Sequence, residues 1–483
     1  MSTEHRGLIS KKACTRCSTQ KRRCDKAIPD CGLCKRLRQP CQYEVRRVSY
    51  SGPTPSPSPR PEIFLGSGTF TPTHLKDAII QKLMPLTPED TLSAYCREIE
   101  PWFPIISISR LQSRLPSTWD KAPLDVALLC LSIILLTTTP PASPEDDNNL
   151  SKFKSLYLYT KSSIGSTEGL GINSFLIVQS RILVTLFEVA HGFHPAAYIS
   201  IGATVRAAEA LGVRPEVDAS PSHSLDDEAK GEETVLTWCG ILALDRYIAI
   251  ESGPHPSLTR SRSQSLHDVL KPTICPTNQH DQDQTSPIFR LSRLLQASSL
   301  LDKIHATINS PMADHPFNFD ELILTIQTIT NLQTILNEEI GDGIHLYAGG
   351  LGLCNMALLL AFENGCKAPL ITGVTENCNS IATTSIISLL STITSMVEPF
   401  TLGTQSIDFN FLSPFVTLQV YKAAAIVTET LLMNIDPNDG LKKLRILRNF
   451  LRTVGERWLL CERYLKLLNE DTTPRILKTI GQG

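Results

Sequence analysis

No stretch of this 483-residue sequence approaches the ~18 consecutive apolar residues that a membrane-crossing helix requires. The longest apolar run, Val126 to Leu136, is interrupted by Cys130 and Ser132 and reads as a buried core helix. The opening MSTEHRGLIS lacks the hydrophobic centre of a secretory signal. With no oxidising destination indicated, the cysteines are expected as thiolates or core thiols rather than disulfides. Also missing are G-x-S-x-G, H-E-x-x-H, the P-loop and G-x-G-x-x-G, so no enzyme is expected. Heptads are scarce as well. Leu75, Ile79 and Leu83 form a short run that Pro85 ends, which falls below the roughly three to four heptads of a coiled coil.

What is present is an ordinary globular balance, 42% hydrophobic and 19% charged, in a chain long enough for more than one folded unit. The net charge of −2 conceals an asymmetry. Residues 1–50 carry 13 Lys and Arg against 4 Asp and Glu, whereas the remaining residues carry 33 against 44. A short basic head on a long acidic body points to a polyanion-binding module joined to something else.

The basic head holds six of the fourteen cysteines: Cys14, Cys17, Cys24, Cys31, Cys34 and Cys41. Their spacing is one half-pattern, C-x2-C-x6-C, written twice. By chance such a pattern would arise roughly once in a few million sequences of this kind, so it demands a chemical reason. Zinc supplies one. Each half offers three thiolates, a structural zinc takes four, and two zinc ions can share six sulfurs only if two of them bridge. The repeat makes the halves equivalent, and the symmetric choice is Cys14 with Cys31, although the other matched pairs satisfy the same symmetry. Six thiolates and two zinc ions leave the head strongly positive, a footprint for phosphates. Lys12, Arg16, Lys21, Arg22, Arg23 and Arg38 are the candidate nucleic-acid contacts.

The segment ACTRCSTQKRRCD (Ala13 to Asp25), Pro29 two residues before the fourth cysteine, and Tyr43 two residues after the sixth resemble the fungal Zn2Cys6 binuclear cluster regulators. The resemblance implies two short helices around a two-zinc cluster, bridging by Cys14 and Cys31, and a cis peptide before Pro29. It implies base reading by Lys21, typically of CGG triplets in double-stranded DNA. Gln20 and Ser18 stand where the family more often has Lys and Arg. Lys12 and Arg38 are expected at phosphates, and Arg22 or Arg23 follow Lys21 as base-reading candidates. A nuclear location, a homodimer on DNA and contact with the transcription machinery follow from the same likeness. Activation is expected over repression, and the size and layout are similar to those of regulators in biosynthetic gene clusters.

Beyond residues 1–43, residues 44–73 read as a Pro- and Ser-rich linker, with Arg46-Arg47-Val48-Ser49 in the form a basophilic kinase favours. An all-α regulatory domain is expected from there. It comprises residues 74–260, a loop at 261–287, a helical part at 288–470 and a tail at 471–483. Helical periods cover Leu124–Leu136, Phe175–Val189, Ala196–Leu211, Glu232–Ile250 and Leu441–Leu468, with Gly212 as a C-cap and loops at 214–231 and 254–287. Tyr95–Pro104, Ala197–Arg214 and Thr237–Gly253 resemble the same family's middle homology region, over residues 75 to 260. Of Cys96, Cys130, Cys239, Cys275, Cys354, Cys366, Cys378 and Cys461, most are expected as core thiols. His191 and His194 are expected to serve a helix C-terminus, and Asp245 with Arg246 to form an ion pair. A rival reading is a receptor for a small-molecule effector, tethered to DNA, with a pocket between helices that includes Arg206, Trp238 or Arg246.

Overall fold

The computed structural model describes residues 12–37, 39–43, 70–141, 147–213, 225–260, 286–309, 319–340, 344–367, 373–433, 437–473 and 476. They fall into two compact units, Met1–Gly68 and Thr69–Gly483. Among the described residues there is no β-strand. The first unit contains two one-turn helices, α1 (Thr15–Thr19) and α2 (Gly32–Arg36), and its buried centre is sulfur. Cys14, Cys17, Cys31 and Cys34 are buried, with Leu33 and Tyr43 packed against them. So little carbon cannot hold a fold by burial alone, which leaves metal binding to do it.

The second unit begins with α3 (Pro72–Leu83), α4 (Pro88–Glu98), α5 (Ile108–Arg114) and α6 (Leu124–Thr137). It continues through α7 (Asp147–Gly169), α8 (Phe175–Ala190), α9 (His194–Ala210), α10 (Leu225–Glu251) and α11 (Pro287–Asn309). Next come α12 (Phe319–Ile340), α13 (Ile344–Lys367), α14 (Gly373–Thr401), α15 (Thr417–Leu432), α16 (Pro437–Gly455) and α17 (Leu460–Glu470). Leu75, Ile79 and Leu83 point into the core, which is why this apolar run needs no coiled-coil partner. α6 is apolar all round and buried over most of its length. Every residue from Leu176 to Ala190 of α8 is buried as well.

Burying polar side chains on such a helix requires partners. Glu188 accepts from the Tyr157 hydroxyl at 2.8 Å and pairs with Lys161. Gln179 donates to the Ile105 carbonyl at 3.1 Å and to Glu233 at 3.3 Å. Glu233 also receives Arg110 at 2.8 Å and a two-pronged bond from Arg114 at 2.9 and 3.0 Å. Two of the segments that carry the family likeness meet at Gly240, where a Cβ would stand 3.2 Å from Phe103 Cζ. Tyr95 clamps the Ile106 backbone, donating to its carbonyl and accepting its amide, both at 2.9 Å. Gly240 lets α10 approach so closely that a Cβ there would stand 2.5 Å from Ile105 Cγ2.

Several sequence expectations change. Leu441–Leu468 is two helices, because α16 stops at Gly455 and α17 starts at Leu460. Leu447, Leu451 and Val454 stay buried on α16, while Trp458 lies in the break, its indole donating to the Leu412 carbonyl at 3.0 Å. α10 begins at Leu225, inside the stretch expected as loop. His191 does close α8, but burial, aided by nearby Arg457, holds its ring well below the usual histidine range, so it is neutral there. His194 opens α9 instead. Asp245 and Arg246 turn to different partners. Asp245 accepts from the Thr259 amide and hydroxyl, both at 2.7 Å, and Arg246 donates to Ser298 at 3.1 Å and Ser299 at 2.7 Å.

Gly212 caps α9 as expected, at φ +65°. Cys130, Cys239, Cys354 and Cys461 are buried, Cys96 and Cys366 only partly so. Cys275, Ser49 and the linker prolines from Pro53 to Pro61 lie outside the described residues, the expected linker's last residues, from Pro72, already belong to α3, and the side chain of Cys378 is likewise not described. Two helical stretches, Asn379–Thr401 and Pro414–Leu432, have the length and apolarity to cross a membrane. The second is 67% buried within this unit, as a core helix would be.

Candidate metal centre and nucleic-acid interface

The repeated half-pattern folds into repeated geometry. Cys14 and Cys31 are the N-cap residues of α1 and α2, with extended backbones at φ −62° and −70°. Each helix then presents its second cysteine, Cys17 or Cys34, one turn on. Sulfurs of Cys14 and Cys31, of Cys14 and Cys34, and of Cys17 and Cys31 all lie 3.7 Å apart. A tetrahedral zinc with bonds of about 2.3 Å has sulfur–sulfur edges of about 3.8 Å, so the spacing suits that ion.

The six sulfurs form two tetrads, Cys14–Cys17–Cys24–Cys31 and Cys14–Cys31–Cys34–Cys41, each within 4.8 Å. Cys14 and Cys31 belong to both. The Cys34 amide, donating to the Cys31 sulfur at the start of α2, draws that thiol down to about 6. Desolvation pushes the thiols of Cys14, Cys17, Cys34 and Cys41 up.

Short bonds tie the loops to this centre. The Thr15 amide and hydroxyl donate to the Gln42 carbonyl at 2.7 and 3.0 Å. The Tyr43 hydroxyl donates to the Ala27 carbonyl at 2.9 Å. Asp25 receives the Gly32 amide. The peptide before Pro29 is cis. The Asp25–Gly32 contact was not anticipated, although an acid directly after the third cysteine and a glycine directly after the fourth were its available signal.

α1 ends in a Schellman turn, with the Lys21 amide donating to the Ser18 carbonyl at 3.2 Å and the Arg22 amide to the Cys17 carbonyl at 2.9 Å. The turn's left-handed position is usually a glycine, as it is at Gly212; here it is Lys21, at φ 49°. That backbone throws Lys21 off the helix end. Lys21, Arg22 and Arg23 are all exposed, as is Lys12. Arg16 is only partly exposed and acts on the Cys34 sulfur, opposing in small part the rise that burial gives that thiol, so its charge is turned inward to the cluster. Arg38 lies outside the described residues. In the other unit Arg206, Trp238 and Arg246 have separate surroundings. Arg206 is 84% exposed beside Glu209, Trp238 is core, and Arg246 is spent on serines.

A family model described as Fungal Zn(2)-Cys(6) binuclear cluster domain matches residues 12–49. A second, Fungal specific transcription factor domain, matches residues 92–356. That second match covers more than half of the sequence and continues well past residue 260. A Botryotinia fuckeliana protein, "Transcription factor BOA15", is 33% identical over 125 residues, which are 26% of this chain and 66% of that protein.

Proposed function

Because this chain belongs to the fungal specific transcription factor family and carries a Zn(2)-Cys(6) binuclear cluster domain, we propose that it reads CGG-type triplets as a nuclear activator. Two zinc ions on six cysteines are the cofactor of that domain. Cys14 and Cys31 bridge the ions in this proposal, and Cys17, Cys24, Cys34 and Cys41 complete the two tetrahedra.

The observation that carries the reading is the placement of Lys21 at the end of α1, in a left-handed turn anchored on Cys17. Zinc fixes the helix, the helix fixes the turn, and the turn projects an ammonium that suits O6 and N7 of guanine in the major groove. Arg22 and Arg23 follow it. Lys12 and Arg38 serve phosphates, which strengthen binding to any sequence. One triplet offers few base contacts, so two heads on spaced half-sites form the specific complex and the chain acts as a homodimer on DNA. Target genes within a biosynthetic cluster fit the compact layout.

Binding-site selection with the purified full-length chain tests this directly. The expected product is paired CGG triplets at one preferred spacing, bound at least tenfold more tightly than scrambled DNA. A motif without CGG, or single triplets bound as tightly as pairs, would refute the respective part. A reporter driven by the selected site should rise when the protein is expressed; a fall would make it a repressor.

A further inference from the structure

Six helices of the larger unit converge on a cavity of about 440 Å³, a size typical of small-molecule sites. Its walls are mainly apolar: Ile308 from α11, Met356 and Leu360 from α13, Leu418 from α15 and Leu467 from α17. Tyr421 and Tyr464, stacked at 4.3 Å and 11°, form one side. Asn309, Lys422 and Arg463 also line the cavity, whose polar end is formed by Glu251 at the end of α10, His194 at the start of α9 and His305 on α11.

Their bonding is incomplete. Glu251, 3% exposed, uses Oε1 to accept the Tyr464 hydroxyl, and its Oε2 has no hydrogen-bond partner. His194 Nδ1 lies 3.2 Å from that oxygen without hydrogen-bond alignment, and neither of its ring nitrogens is bonded. His305 spends Nε2 on the Gly253 carbonyl at 2.8 Å and leaves Nδ1 unbonded. Unpaired buried polar atoms are costly, and here four of them sit on residues lining one apolar cavity. The three do not form a metal-ligand group; among the described residues only the cysteine groups bring three or more ligand atoms within 4.8 Å of one another. The cations of the lining do not govern the polar end. Lys422 is bound to Glu363 at 2.5 Å, and Arg463 is exposed to water.

We propose that this cavity binds a small amphipathic molecule whose apolar body lies on Leu360 and Leu418 and whose hydroxyl or amine head donates to Glu251 Oε2. A hydroxyl serves whether or not the carboxyl is protonated, and it can also accept. An ammonium gains a charge partner once the carboxyl proton leaves to solvent. A carboxylate head cannot donate to that oxygen and is repelled whenever Glu251 is ionised. The occupant would touch α9 and α10 on one side and α15 and α17 on the other. It therefore joins the middle of the matched family domain, residues 92–356, to helices beyond its end and regulates the unit by bracing it. This goes beyond the DNA-reading proposal and does not depend on it.

The test uses the full-length zinc-loaded protein, titrated calorimetrically at neutral pH with 4-phenylbutylamine, 4-phenyl-1-butanol and 4-phenylbutyrate. The amine and the alcohol should bind saturably at one site per chain and raise Tm, with the carboxylate at least about tenfold weaker. Glu251→Gln, which keeps an acceptor for Tyr464, should weaken the amine about tenfold or more. Leu360→Trp should fill the cavity and abolish binding of all three while helicity and zinc content stay at wild-type levels. Carboxylate binding as tight as the others, no saturable binding of amine or alcohol, or binding unchanged in Leu360→Trp would overturn the assignment. CGG binding is measured separately on the same preparations, so failure of either proposal is visible without the other.

Discussion

The Asp25 carboxylate receives the Gly32 amide through both oxygens, at 3.0 and 2.9 Å, where a Cβ on residue 32 would stand 2.5 Å from Oδ2. The contact joins the end of the first cysteine half to the helix that opens the second. It holds Cys24 and Cys31 in register, and a side chain at residue 32 would push the Asp25 carboxylate aside.

Gly32→Ala should therefore loosen the cluster by displacing Asp25, and Asp25→Ala should do so by leaving the amide unpaired. A lost bond of this kind costs about 1–3 kcal/mol. The measurement is the rate of zinc transfer to a coloured chelator from the full-length protein. Both variants should release zinc several-fold faster than wild type; wild-type rates would show the contact to be incidental.

Sharing of Cys14 and Cys31 between the two tetrads predicts unequal effects of equal chemistry. Cys24→Ser damages one tetrad and leaves Cys14–Cys31–Cys34–Cys41 intact, so elemental analysis should still find close to one zinc per chain. Cys14→Ser damages both tetrads and should bring zinc close to zero. Equal zinc content in the two variants would argue against bridging by Cys14.

Lys21 invites a pair of substitutions because its backbone is left-handed. Lys21→Ala and Lys21→Gly both remove the ammonium, and each should reduce discrimination of CGG over scrambled DNA by roughly 1–3 kcal/mol. Glycine relieves the left-handed backbone, by about 1 kcal/mol relative to alanine, so Lys21→Gly should retain zinc against chelator better than Lys21→Ala. Lys12→Ala should weaken cognate and scrambled DNA alike and reduce the salt slope by about one unit. If Lys21→Ala weakened both DNAs equally, base reading would pass to Arg22 or Arg23.

Burial raises the Glu251 carboxyl to about 8, against the bond from Tyr464, which lowers it. The folded state then holds a proton that the unfolded chain releases near the ordinary value of 4.5. This group's contribution is complete below that value and is lost as pH rises toward 8, with a slope of at most about 1.4 kcal/mol per pH unit. Urea melts at several pH values should show Glu251→Gln gaining stability relative to wild type between pH 5 and 8. A difference that stays constant across this range would mean that Glu251 is ionised in the folded protein.

The zinc cluster was legible in the sequence because metal chemistry is strict about ligand type and count, and short helical turns bring such ligands together locally. The helices of the body were legible for a similar reason. Burial on one face imposes a period, as Leu447, Leu451 and Val454 display on α16. Other features depend on contacts between distant residues, which no local pattern records. Symmetry allowed three ways to pair the bridging sulfurs, and only the placement of α1 against α2 put Cys14 and Cys31 in both tetrads. In the break after Gly455, Trp458 reaches the Leu412 carbonyl. Adjacent Asp245 and Arg246 part company because Thr259 and Ser299 come in from other segments. The cavity around Glu251 exists because helices from residue 194 to residue 470 meet there without filling the space. Sequence periodicity names which face of each helix is buried; only packing in three dimensions decides what that face meets, and where it meets nothing.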